Sequence, residues 1–466
     1  MTSRLHKLIV IGQGAAGLSA ALSAAEIARA CNAPTTITLI DKASEAHAGG
    51  NTRWSPSYMR MASPTHMEQS FVEDMQEATG HRGSEAYFKR LALEAPATIY
   101  WLTAHGLEFI QPTYYLAKGP RRIQPSGGGP AIIKNLARAA KQAGIAFCFD
   151  CTACRIVSQG SRITGLAVER SGARDLMPAD AVVLACGGFQ GSGEMMRTHC
   201  GYGAETMRLI SPGTRFNSGD GIRMAIELDA DLSGDWTGMH AEPIDARGKN
   251  SAPVVLVYPY GIVVDKTGRR FFDEGAGLVH QTWEWFARDI HLKRPGSIAY
   301  AILDAQLFKI AGYQRAIRSE IPPFRANTLT ELARLIDVDA GNLAETVAAY
   351  NAACPPGAYS FDASRCDGLA AEKSLKPPKS NWARAIDLPP FLAYPLVGAI
   401  AYTFGGIATD TDARVLRRGL AIPGLFAAGE ITGHFYKTAP NAVSVLRALV
   451  FGRIAGQKAI EYLHPK

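Results

Sequence analysis

The chain has 466 residues, 47% hydrophobic and 20% charged, enough for two or three domains around a substantial core. A net charge of +7 suits an anionic ligand, but no Lys/Arg block is dense enough to argue for nucleic acid. No apolar run reaches the roughly 18 residues of a membrane-spanning helix. The 8 cysteines are scattered and a first strand is expected from about residue 7, with no room before it for a secretory segment, so reduced thiols and a cytoplasmic protein are expected.

In chain order, an apolar run at 8–11 leads into Gly12-x-Gly14-x-x-Gly17, and an Ala-rich, helix-favouring segment begins at Ala15 and Ala16. This is strand, tight turn and helix. Gly12 permits the turn, Gly14 lets the backbone approach a pyrophosphate, and Gly17 lets helix and strand pack closely. The helix N-terminus then aims free N–H groups at the phosphates. A second apolar run, 36–40, ends in Asp41, where an acidic side chain would bind a ribose hydroxyl, with Lys42 beside it. Together these predict dinucleotide binding.

Gly49-Gly50-Asn51-Thr52-Arg53 is a small-residue loop able to press its backbone against a flat ring. Helices are expected at 68–80, 84–106 and 131–143, the last opened by the glycine loop after Arg121-Arg122. Cys148, Cys151 and Cys154 lie in a strand-like stretch, 145–157. A spacing of three alternates strand faces, so these read as structural cysteines, and no metal site is expected. Another strand, 181–186, ends in Gly187-Gly188, and Gly219-Asp220-Gly221 starts a helix.

Between 236 and 361 the character changes. A strand pair is expected around Pro259-Tyr260-Gly261, a hairpin turn at 266–271, and helices at 280–290, 329–336 and 342–350. Dinucleotide-type parts then return: Gly405-Gly406, a strand at 425–428 running into Gly429-Glu430, and Asn441 to Ser444 opening a last helix. Such parts at both ends imply one domain interrupted by an insertion. The expected architecture is α/β, a Rossmann-type nucleotide domain over 1–235 and 362–466 with an inserted α+β capping domain over 236–361 that carries the substrate.

The ordered set Gly12-x-Gly14-x-x-Gly17, Gly50-Asn51-Thr52, Gly187-Gly188-Phe189, Gly219-Asp220-Gly221, the 268–274 segment ending in Phe272-Asp273-Glu274, and Gly429-Glu430 resembles the FAD-dependent flavoprotein family of fumarate reductase and succinate dehydrogenase. The pieces at 271–276, 435–436 and 451–456 look most like tricarballylate dehydrogenase and its relatives. The resemblance implies a Rossmann-type FAD-binding domain with a mobile cap. It also implies hydride exchange at flavin N5, forming or reducing a C–C double bond beside a carboxylate or carbonyl. Carried over position by position, Gly12, Gly14, Ala15, Ala16 and Gly17 would hold the pyrophosphate, with Asp41 and Lys42 at the adenosine ribose. Gly50, Asn51 and Thr52 would lie near the flavin ring, Gly187 and Gly188 along the dinucleotide, and Glu430, after Gly429, on its hydroxyls. Asn441, Ser444, Val445 and Leu446 would reach the pyrimidine edge. Asn51-Thr52 stands where membrane-bound relatives carry a tethering His, so the FAD is expected to be non-covalent, with His47 a loop residue.

The acid–base set departs from the fumarate reductases. Leu278 stands where their proton-donating Arg would fall, and their relay positions fall near Val255 and Tyr258. His240 keeps a substrate position, Tyr402 replaces a second His, and Lys437 replaces a substrate Arg. Expected catalytic residues are therefore Tyr402, His240, Lys437, Tyr260 and His280, with His434 and Tyr436 as further proton-transfer candidates and Arg53 and Arg121 as weaker substrate cations. Two other readings stay open: a ketosteroid-type dehydrogenase or enoate reductase acting on a less charged substrate, and an FAD electron-transfer subunit dependent on a partner.

Overall fold

The computed structural model describes residues 4–113, 115–116, 119–357 and 361–465. The elements that position the site are, in chain order, β1 (His6–Ile11), α1 (Ala15–Ala30), β2 (Thr35–Ile40), β3 (Ala146–Cys148), β4 (Ala181–Leu184), β5 (Met239–Asp245), β6 (Ile262–Asp265), α2 (Val279–Lys293), β7 (Ala299–Leu303), β8 (Phe391–Thr403), β9 (Arg414–Arg417), β10 (Leu420–Ala427) and α3 (Ser444–Leu463).

The first sheet has the strand order β9-β10-β4-β1-β2-β3. Its central strands are parallel, and only β9 pairs antiparallel with β10. Parallel strands are covered on both faces, so they read as continuous apolar runs, and every residue of β4 is buried. A three-stranded antiparallel sheet, 151–178, is inserted between β3 and β4. The expected strand at 145–157 is thus two strands, broken at Asp150, which takes φ +51°.

The two ends of the chain meet in a helix pair. A Cβ added to Gly452 would stand 2.4 Å from the Ala16 carbonyl oxygen, and one on Gly456 would stand 2.1 Å from that of Ala20. Only glycine at these two positions of α3 lets it lie directly on the Ala-rich face of α1. This contact brings the C-terminal Gly429–Ser444 region to the turn after β1.

The second sheet is built on β8. It pairs with β5, with β7 (itself paired with β6), and with the short strands Arg208–Leu209 and Phe324–Ala326. The expected domain boundary at 361/362 therefore does not separate the two sheets, because β8 is the spine of the second one. The expected strand pair at 254–264 is a single strand, β6, preceded by a turn over Tyr258–Tyr260. Cap packing is anchored by Glu274, which accepts from the Val263 N–H (2.7 Å) and pairs with Arg270 (2.7 Å) and Lys379 (3.7 Å). No helix among the described residues is long and apolar enough to cross a membrane.

Candidate active site

One continuous cleft runs from the turn after β1 to the second sheet. At its nucleotide end the glycines divide the work. Gly12 takes φ +104°, and an added Cβ would lie 2.4 Å from the Ala185 carbonyl oxygen. A Cβ on Gly17 would overlap the Gly12 carbonyl oxygen at 1.8 Å. Both serve the close approach of turn, helix and strand. Gly14 is different, since its nearest neighbours would be 3.9 Å away. It caps the N-terminus of α1 and opens onto the cleft.

Asp41 ends β2 and accepts from the N–H groups of Gln13 (2.8 Å) and Ala43 (2.8 Å). Lys42 pairs with Asp220 at 2.6 Å. Thr52 accepts from the Ala15 N–H at 3.2 Å, tying the 50–52 loop to the start of α1. Asn51 donates to the Ala401 carbonyl at 2.8 Å, tying the same loop to the end of β8. Glu430 accepts from the Thr403 N–H (3.1 Å) and from Asn217 (3.2 Å). Burial pushes its carboxyl up to about 7.

Of the expected cofactor residues, Gly12, Gly14, Ala15, Ala16, Asp41, Lys42, Gly50, Asn51, Thr52, Gly187, Gly429, Glu430, Asn441, Ser444 and Val445 line the cleft. Three stand behind the wall. Gly17 packs on Gly12, Gly188 packs on Glu430 and Thr403, and Leu446 is fully buried in the core. The cleft also contains buried polar atoms that find no partner among the described residues, Asn441 Oδ1 and Gln13 Oε1. An elongated ligand with hydrogen-bonding groups along its length would satisfy them. At the start of α3, Ser444 and Val445 precede the first residue whose N–H can bond within the helix, so their donors suit an anionic ring edge.

At the far end, β5 and β8 run antiparallel, with His240 opposite Tyr402 and a bulge between His240 and Ala241. The two rings lie 4.9 Å apart. His240 sits between two carboxylates, with Nδ1 3.2 Å from Glu284 and Nε2 3.2 Å from Glu242. Burial by itself would depress the imidazole. The hydrogen bonds and charges of Glu242 and Glu284 outweigh burial and raise it to about 9. Tyr402 is pushed well above its ordinary value, chiefly by burial, and its hydroxyl bonds Ser444. It is a neutral phenol near pH 7.

The wall continues from His240 to Trp283 (5.9 Å between rings) and from Trp283 to Tyr115 (5.9 Å). Two guanidiniums face it. Arg122 lies 3.7 Å over the Tyr58 ring and 4.9 Å over that of Tyr115. Arg318 lies 5.9 Å from the Tyr58 ring and donates to its hydroxyl at 3.2 Å.

The other expected catalytic side chains are placed elsewhere. Lys437 is exposed, takes φ +60° and lies along Gly80. The Tyr260 hydroxyl donates to the Ala363 carbonyl at 3.1 Å inside the cap. His280 stands outside the cleft wall, and burial together with the charges of Arg60 and Arg122 lowers it to about 4. His434 stacks on Tyr87 (3.6 Å) in the core, and Tyr436 bonds Ser233 and Gly234. Arg53 donates to the Ala48 carbonyl. Arg121 points away, and its neighbour Arg122 faces the cleft instead. Tyr58, Tyr115, Arg122, Glu242 and Arg318 carry no local motif, and only Arg122 lies next to a residue that sequence reasoning singled out.

The parallel sheet, glycine turn and long cleft define a dinucleotide-binding flavoprotein. The sequence matches the FAD binding domain family over residues 7–442. It is 28% identical to a probable fumarate reductase of Shewanella frigidimarina, over 99% of this chain and 76% of that one. It is 26% identical to a urocanate reductase of Eggerthella lenta, over 97% of this chain and 74% of that one. The fold superposes on the open conformation of a flavocytochrome c3 fumarate reductase with a TM-score of 0.78 at 27% identity, covering 99% of this chain and 79% of that one. The chain belongs to the FAD binding domain family, and with it to the flavin-dependent dehydrogenases and reductases of CH–CH groups. The residues along the cleft fit FAD.

Proposed function

We propose that the protein forms or reduces a C–C double bond conjugated to a carboxylate or carbonyl. The observation that carries this reading is the junction of the cleft. There Tyr402, held by Ser444 at the start of α3, meets the nucleotide end on one side and the cationic, aromatic end on the other. Bound FAD supplies two-electron hydride exchange with carbon. In the reducing direction, hydride adds to the carbon β to the electron-withdrawing group, and a proton must reach the α carbon. Tyr402, as a neutral phenol, is the donor. His240 packs beside it at a tilt and, as an imidazolium, stabilises negative charge on the phenolate oxygen until the proton is replaced. The reverse reaction takes the proton back onto the phenolate.

Asn441, Ser444 and Val445 orient the ring edge, and Gly14, Asp41 and Glu430 hold the nucleotide, by close approach and hydrogen bonds. The FAD is non-covalent in this reading, since His47 is an exposed loop residue bonded to Ser44. Residues 236–403, rather than 236–361, act as the capping unit, because β8 carries its sheet. Each turnover needs two electrons from, or to, a separate redox partner. Eight free thiols favour a reducing, cytoplasmic setting. Among the carboxylates, a tricarballylate-like substrate would undergo the same reaction.

The test is anaerobic mixing of chemically reduced holoenzyme with conjugated acids and ketones, following flavin reoxidation and the saturated product. Reoxidation by a conjugated acid supports the reading. Failure of every conjugated acid and ketone to reoxidise the flavin, with failure of their saturated counterparts to reduce it, overturns the reading. The aromatic wall of Tyr58, Tyr115 and Trp283 favours the second reading, a less charged ketone substrate. Turnover of neutral enones alone would select it.

A further inference from the structure

The two carboxylates that hold His240 are not equivalent. Glu242 lies on the same strand, lines the cleft and leaves 19% of its side chain exposed. Glu284 comes from α2 and leaves 5%. It stands on the buried side of that helix, among Trp283, Phe286, Ala287 and Ile290. A carboxylate placed there is costly unless donors meet it. One oxygen, Oε2, is met twice, by His240 Nδ1 at 3.2 Å and by the Ala439 N–H at 3.3 Å. The other, Oε1, is buried without a hydrogen-bond partner among the described residues. A side chain serving packing alone would be apolar at this position.

The second donor gives the position its meaning. Ala439 belongs to the nucleotide unit, in the segment that leads into α3. Its neighbour Thr438 is anchored to the Ala78 carbonyl at 2.8 Å, and Ala439 and Asn441 line the cleft. Further along, Ser444 bonds the Tyr402 hydroxyl. A single carboxylate oxygen thus joins α2, β5 and the approach to α3 around Tyr402 and His240. The titratable groups facing His240 among the described residues are Glu242 on β5, Glu284 on α2 and Tyr402 on β8. Arg318 acts on Glu242, and Arg447 on Tyr402, from farther away. Through Glu284 the imidazole is tied to the nucleotide unit, and Glu242 makes no such contact among the described residues.

We infer that Glu284 is the positioning residue of the proton-transfer pair: from α2 it fixes the orientation and charge of the His240 imidazole through Nδ1, and by the same oxygen it holds that imidazole in register with the segment carrying Asn441 and Ser444. The Tyr402 phenolate is thereby met by an imidazolium whose placement is set by the cofactor-binding unit. Glu284 stands outside the cleft wall and acts through His240. This rests on the double-bond reading above and deepens it.

The experiment follows the His240 imidazole by NMR across pH, in FAD-loaded enzyme isotopically labelled at histidine Cε1, with His240→Gln identifying its signal. Glu284→Gln keeps the shape and an oxygen for the Ala439 N–H but removes the charge. It is expected to lower the pH at which His240 titrates by about one unit or more, with FAD content and unfolding temperature kept. Anaerobic reoxidation of the reduced enzyme by fumarate or trans-cinnamate is expected to lose its high-pH limb over the same interval, because the imidazolium is given up earlier as pH rises. If Glu284→Gln fails to hold FAD, Glu284→Asp draws the carboxylate back by one methylene, and a smaller shift in the same direction is expected. An unchanged His240 titration in the variant that folds overturns the inference, and so does a shifted titration with an unchanged rate–pH profile. The titration needs no turnover. An unshifted imidazole beside normal reduction of a conjugated acid therefore overturns this inference alone, and a shifted imidazole with no conjugated acid reduced overturns the reaction alone.

Discussion

His240 faces Tyr402 directly across the antiparallel pair β5–β8, their rings 4.9 Å apart, and both nitrogens of His240 are held by carboxylates. The imidazole is thereby kept charged beside a phenol that burial keeps neutral. One strand pairing sets the proton inventory of the site.

Tyr402→Phe removes the hydroxyl and its bond to Ser444 while keeping the ring packed on His240 and Phe404. Double-bond reduction is expected to fall by ~10²- to 10⁴-fold, with FAD content and unfolding temperature nearly unchanged. Single-turnover flavin reoxidation beside a melting curve checks this. An unaltered rate would remove Tyr402 from proton transfer.

The His240 imidazole stands at about 9 in the folded protein, above its ordinary 6.5. A raised value means that the folded state holds the proton more tightly than the unfolded one. The contribution is fully present below about pH 6.5 and is lost as pH rises through 9, on the order of 3 kcal/mol at most. Stability measured by denaturant titration should decline over this window, and His240→Gln should flatten the decline. An identical pH profile in wild type and variant would contradict it.

Gly12 and Gly14 are expected to fail differently. Gly12→Ala puts a Cβ 2.4 Å from the Ala185 oxygen at φ +104°, so the chain should be destabilised by several kcal/mol or not fold. Gly14→Ala has room in the protein itself but fills space beside the cleft. It should fold with near-normal stability and hold FAD less tightly. Unfolding of the apoprotein and fluorescence titration with FAD separate the two. Equal stability losses would count against this division of roles.

Lys379 is completely buried, donating to the carbonyls of Pro259 (2.6 Å) and Gly261 (2.7 Å) beside Glu274. Burial lowers it to about 8, against the opposing pull of Glu274. Lys379→Ala leaves two carbonyls and part of a carboxylate uncompensated and should cost about 3 to 5 kcal/mol. Denaturant unfolding with FAD bound provides the measurement. A loss under about 1 kcal/mol would mean that Arg270 alone satisfies Glu274.

The nucleotide end was legible in the sequence because backbone geometry imposes residue type at short, fixed spacing. Gly12 and Gly17 are small because carbonyl oxygens stand where their side chains would be. The substrate end was not legible in this way. Its side chains come from positions near 58, 115, 122, 240, 283, 318 and 402, and no local pattern says which way each points. Arg121 and Arg122 are adjacent, yet only the second faces the cleft. Lys437 follows the expected motif order, but its left-handed backbone directs it toward Gly80.

By itself the sequence determined the nucleotide-binding sheet, the order of its glycine turns and the return of the C-terminal segment, because strand burial and close backbone approach each leave a short-range signature. The tertiary structure decided which cations and phenols share the cleft. That choice depends on the β5–β8 register, on the glycine-mediated contact of α1 with α3 and on the placement of the cap, all of which are relations between residues far apart in the chain.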